Sequence, residues 1–112
     1  MQYCDEALLD AVTGLTGSGP AYLFYVAEAL IAAGVAEGLP AETAEALVRQ
    51  LFLGAGTLLA ESSDSPTRLR ENVTSPNGTT AAGLAALAAA GGREAFVAAV
   101  RAATARSVEL GA

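Results

Sequence analysis

Alanine fills 27 of the 112 positions, and no other feature restricts the possible folds as much. It loses no side-chain entropy in a helix and is the best helix former, and nothing in the chain alternates apolar and polar residues as a half-buried strand would. The expected class is all-α. A helix faced with alanine buries little apolar area, because the hydrophobic gain scales at roughly 25 cal/mol per Å², yet it allows close helix approach. With 53% hydrophobic residues in a chain of ordinary domain length, residues 1–112 read as one domain. Some of its apolar surface is expected to be buried only when a second subunit docks.

Turn and cap signals divide the chain into about five or six helices. Pro20 opens a long one near residues 19–37, with Leu23, Val26, Ala27, Leu30, Ile31 and Gly34 along one face. Gly38 permits a stop, and Pro40 with Glu42 starts a second helix reaching about Glu61. On it Leu47, Leu51, Ala55 and Leu58 form a stripe. Gly54 and Gly56 lie mid-helix, where each costs roughly 1 kcal/mol relative to alanine, and close packing against another helix would account for them. Ser65–Pro66 caps a short helix to about Asn72. Thr79 and Thr80 lead into an alanine-rich helix ending at Gly91–Gly92, and Phe96, Val97, Val100, Thr104 and Val108 stripe the last.

Much chemistry is excluded by composition. There is no histidine, lysine or tryptophan and a single cysteine, Cys4, so a zinc site, a disulfide framework and a lysine Schiff base lack their parts, and no metal is expected. A net charge of -6 repels phosphate backbones and anionic lipids, so nucleic acid is not an expected partner. Glu28, Glu37, Arg49 and Glu61 interrupt the apolar runs, and no membrane span is expected. The first residues have no basic stretch followed by an apolar run, so a cytoplasmic location is expected. Without a secretory signal, the sequons at Asn72 and Asn77 are chance matches.

Two loops could carry chemistry. Gly14-Leu15-Thr16-Gly17-Ser18-Gly19-Pro20 is rich in glycine but lacks the preceding strand of a dinucleotide fingerprint and the lysine of a P-loop. It reads as a tight bend folding a short N-terminal helix back on the long one, or as the wall of a site. Thr74-Ser75-Pro76-Asn77-Gly78-Thr79-Thr80 precedes a helix start, whose first amides lack intrahelical partners and carry about half a positive charge. They can receive a small carboxylate without any arginine or lysine, with Ser75, Thr79 and Thr80 adding hydroxyls. A simple capping turn is the alternative.

Taken together, Asp10-Ala11-Val12-Thr13, Gly17-Ser18-Gly19-Pro20-Ala21-Tyr22 and Val73-Thr74-Ser75-Pro76-Asn77-Gly78-Thr79-Thr80 resemble the C-terminal domain of pyrroline-5-carboxylate reductase. Gly34-Val35, Gly38-Leu39-Pro40, Gly54-Ala55, Leu69 to Asn72 and Arg106-Ser107-Val108-Glu109-Leu110 extend the resemblance from Asp5 to Gly111. It implies an interleaved helical homodimer, possible further assembly, and a part in reducing 1-pyrroline-5-carboxylate to L-proline with NADPH. The nucleotide would be bound mainly by an N-terminal Rossmann domain. No βαβ unit stands in these residues, so this chain alone is expected to be inactive. By the same resemblance, the Gly78 and Thr79 amides with the Ser75 hydroxyl would hold the substrate carboxylate. Thr80 would hydrogen-bond the ring nitrogen and be the catalytic residue, Asn72 would reach the cofactor from the partner subunit, and Glu6 would stand near the substrate pocket. Many members have glycine where Asn77 stands and serine where Thr16 stands. Asparagine tolerates the left-handed conformation, so the turn is expected to survive. An oligomerisation module without catalysis and a proline-binding regulator are the rival readings.

Overall fold

The computed structural model describes Glu6–Gly111; Cys4 lies outside the described residues. Helices follow one another as α1 (Glu6–Val12), a π-helical turn (Thr13–Gly17), α2 (Gly19–Ala36), α3 (Ala41–Glu61), α4 (Pro66–Asn72), α5 (Thr79–Ala89) and α6 (Gly92–Gly111). No strand occurs among the described residues. The boundaries fall where the local signals put them. Pro40 holds φ -59° and ψ 145° as the N-cap of α3, and Glu42 occupies that helix's first turn, where the helix dipole favours an acid. The Ser65 hydroxyl accepts the Arg68 amide at 3.1 Å ahead of Pro66, satisfying one of the donors that every helix start leaves unpaired. Gly38, at φ 106°, makes the turn between α2 and α3.

The chain packs as two compact units, one joining Met1–Phe24 to Leu87–Ala112 and the other formed by Tyr25–Ala86. In the first, α1 and the π turn pack on α6. Gly14 is buried there, and a Cβ on it would press on the Thr104 hydroxyl and come within 2.9 Å of the Val100 carbonyl and 3.0 Å of the Thr104 amide. Only glycine lets the two backbones approach so closely. The Ser107 hydroxyl donates to Asp10 at 2.7 Å across a separation of 97 residues, tying the last helix to the first by a charge-assisted bond.

The glycine-rich segment does not make the bend the sequence suggested. The helical backbone runs on through a π turn in which the Ser18 amide donates to the Thr13 carbonyl at 3.0 Å, five residues back. That choice leaves the Gly14 carbonyl without the amide four residues ahead, and the half-buried Tyr22 hydroxyl donates to it instead at 2.8 Å. Thr13 and Thr16 donate to the carbonyls of Leu9 and Val12, at 3.1 and 3.0 Å, a back-bonding habit that accompanies helix distortion. So Gly14 serves the contact between this segment and α6, and α1 does not fold back on α2.

By length and composition alone, Leu8–Ala36 meets the requirement for a helix able to cross a membrane, its most apolar stretch of 18 residues having mean hydropathy 1.4. No charged residue stands between Asp10 and Glu28, so the interruptions expected to prevent such a stretch are spaced too widely.

The second unit is differently built. Ala44 and Val48 of α3 are its buried apolar residues, and a Cβ on Gly34 of α2 would lie 3.4 Å from the Ala44 and Leu39 side chains. Leu47, Leu51, Leu53, Leu58 and Leu59 on α3 are all more than half exposed. A Cβ added at Gly54 or Gly56 would meet nothing within 4 Å. Close packing against another helix, which the sequence suggested for these glycines, is not supplied among the described residues.

Candidate functional site

The loop between α4 and α5 lies wholly in the second unit. Helix α4 ends at Asn72, and the Thr74 hydroxyl donates to the Arg70 carbonyl at 2.6 Å while the Thr74 amide donates to Glu71 at 3.1 Å. These bonds satisfy carbonyls that the helix end leaves open. Thr74 is a residue whose role the sequence did not reveal; a threonine just past a helix end was its only signal. The chain then turns at Pro76-Asn77, where proline presets φ and Asn77 takes φ 62°. The expected left-handed asparagine is therefore present. The Gly78 amide closes the turn on the Ser75 carbonyl at 3.1 Å, and the Ala82 amide donates to the Gly78 carbonyl at 3.2 Å, giving α5 its first helical turn.

This arrangement sorts the donors. The Gly78 amide is engaged inside the turn, so Thr79 and Thr80 stand at the start of α5 with amides that have no intrahelical acceptor. Among the described residues, the hydroxyls of Ser75, Thr79 and Thr80 carry no hydrogen bond, and all three residues are exposed. Unpaired amides, three free hydroxyls and the positive end of an eleven-residue helix form a patch suited to a small anion. Asn72, also exposed, ends α4 six residues before Gly78 in the same unit.

Glu6 belongs to the first unit, where it opens α1 and lines a cleft of about 310 Å³ with Leu9, Asp10, Val108 and Gly111. Asp10 already accepts from Ser107. A broader open groove of about 680 Å³ runs along α6, lined by Phe96, Val97, Val100, Arg101, Thr104 and Ala105. No group of His, Cys, Asp and Glu side chains suited to a metal occurs among the described residues.

The described residues form helices throughout, with apolar faces left exposed and a polar turn ahead of α5. The family model described as pyrroline-5-carboxylate reductase dimerisation matches residues 6–110. The chain is 50% identical over 106 residues to the pyrroline-5-carboxylate reductase of Synechocystis, covering 95% of this chain and 40% of that protein. The enzyme of Arabidopsis thaliana is also 50% identical over 106 residues, with 38% of it covered. The crystal structure of the Plasmodium falciparum pyrroline carboxylate reductase with NADP bound superposes with a TM-score of 0.90 at 35% identity, over 97% of this chain and 42% of that one. The chain belongs to the pyrroline-5-carboxylate reductase dimerisation family, and it spans about two fifths of the length of these relatives.

Proposed function

We propose that this chain is the dimerising and substrate-binding part of an enzyme that reduces 1-pyrroline-5-carboxylate to L-proline with NADPH. The observation that carries the reading is the start of α5, where Thr79 and Thr80 follow a turn closed by Ser75 and Gly78 and present unengaged donors to solvent. The substrate carboxylate sits on the Thr79 and Thr80 amides, with the Ser75 hydroxyl beside it. Gly78 contributes by closing the turn beneath the anion, and its own amide joins the site only if that turn opens. The Thr80 hydroxyl hydrogen-bonds the ring nitrogen and holds a proton there while the imine becomes an amine. An iminium is already an electrophile, so orientation of the ring is the main demand on the protein.

The described residues do not fit a whole dinucleotide. They hold no strand, hence no βαβ unit to seat a pyrophosphate, and Asn72 offers one exposed side-chain amide to a nucleotide held elsewhere. Glu6, which the family resemblance sets near the substrate, belongs to the first unit and lines the cleft with Leu9, Asp10, Val108 and Gly111. Two copies make the homodimer, each covering apolar surface that the other leaves exposed.

The test is an amide chemical-shift titration with L-proline at a concentration where sedimentation has fixed the oligomeric state, repeated on Thr80→Ala. Saturable shifts centred on residues 75–80 and weakened in the variant are expected. Unmoved amides in a proven dimer would leave assembly as the chain's only role.

A further inference from the structure

The sequence contains two asparagines, Asn72 and Asn77, and their surroundings differ in the way that governs spontaneous amide loss. In that reaction the backbone nitrogen of the following residue attacks the asparagine side chain. The N–Cγ bond forms, the Cγ–Nδ2 bond breaks, and the amide nitrogen leaves as ammonia with the proton from the backbone. Water then opens the succinimide at either carbonyl, giving aspartate or a backbone routed through the β-carbon. Nothing is oxidised or reduced, and water is the only co-reactant.

Asn77 is exposed and precedes Gly78, which has no side chain to shield its nitrogen. Asn72 precedes Val73, whose branched side chain crowds the nitrogen and whose amide caps α4 through the Arg70 and Glu71 carbonyls. The Gly78 amide is itself held, donating to the Ser75 carbonyl at 3.1 Å, so attack requires the turn to open. We propose that Asn77–Gly78 is a spontaneous deamidation site restrained by the Ser75 hydrogen bond, and that its product carboxylate disables the start of α5 as an anion site. The first half stands on the turn alone. The second rests on the proposed function, because a negative charge next to Thr79 and Thr80 opposes a carboxylate ligand in the place where the helix end attracts one.

The test uses the full chain in its assembled form, incubated at mildly alkaline pH with and without denaturing urea, and follows peptide masses at both asparagines. Asn77 gains the mass of an amide turned carboxyl, with a β-linked product present, while Asn72 stays intact. The native chain reacts slower than the unfolded one by roughly fivefold or more, the factor set by one net hydrogen bond. An unmodified Asn77 in urea overturns the site, and equal native and unfolded rates overturn the restraint. In parallel, Asn77→Asp is titrated with L-proline and is expected to lose the shifts given by the unmodified chain. Equal responses overturn the effect on binding. Absence of any response in the unmodified chain overturns the proposed function and that effect together, while the masses still decide the deamidation.

Discussion

Glycine is used in opposite ways by the two units. In the first, Gly14 lies against the backbone of α6 with no space for a methyl group, and hydrogen bonds from Tyr22 and Ser107 fasten the same region. In the second, Gly54 and Gly56 face open space in a helix whose leucines stand more than half exposed. A mid-helix glycine costs about 1 kcal/mol, and among the described residues nothing packs against these two to offset that cost. Both units leave apolar faces open, Leu15, Phe24, Phe96 and Leu110 of the first being more than half exposed, so what separates them is that the first meets its buried glycine with its own residues and the second does not.

The comparison breaks most sharply at Leu51. Leu51 is 54% exposed in the single chain, so an isolated chain would tolerate Leu51→Asp. Burial against a second copy would instead place an unpaired charge in an apolar interface, with a loss on the order of 4 kcal/mol or more, read as dissociation by sedimentation. Gly14→Ala comes next. Its methyl would meet backbone atoms at 2.9 and 3.0 Å, and such overpacking costs about 1 to 3 kcal/mol, measured by urea unfolding at fixed chain concentration.

Gly54→Ala sharpens the contrast, because the sign decides. An open face gains roughly 1 kcal/mol from helix propensity, whereas a face packed closely on another copy loses stability, and we expect the loss. Tyr22→Phe removes the donor to the Gly14 carbonyl and should cost about 1 kcal/mol, seen as a lower urea midpoint with unchanged slope. Smallest is Arg49→Ala: its ion pair with Glu45 at 2.9 Å is exposed on both sides, and such pairs contribute about 0.5 kcal/mol or less.

How much of this was legible in the sequence follows the range of the interactions. Helix ends set by local chemistry, Pro40, Ser65–Pro66 and Gly91–Gly92, fall where the residues put them, since caps depend on three or four neighbours. The left-handed Asn77 is of the same kind. The π turn is not. Whether Gly14 to Gly19 bend sharply or carry the helix on depends on Val100 and Thr104, far along the chain, and on the Tyr22 hydroxyl that accommodates the displaced carbonyl. Periodicity cannot display such a contact. In the candidate site, the unpaired amides at the start of α5 were readable from the helix start, but the sequence reading counted the Gly78 amide among the free donors, and its engagement with Ser75 was not readable, because a turn closes or opens on geometry that composition leaves free.

A second copy of this chain is expected to complete the apolar faces that α3 leaves open. Thermal unfolding across a wide range of chain concentration, paired with sedimentation equilibrium at each point, tests it most directly. A dimer whose melting temperature rises with concentration and whose dissociation coincides with loss of helix is the predicted result. A monomer that melts cooperatively at a temperature independent of concentration would contradict it.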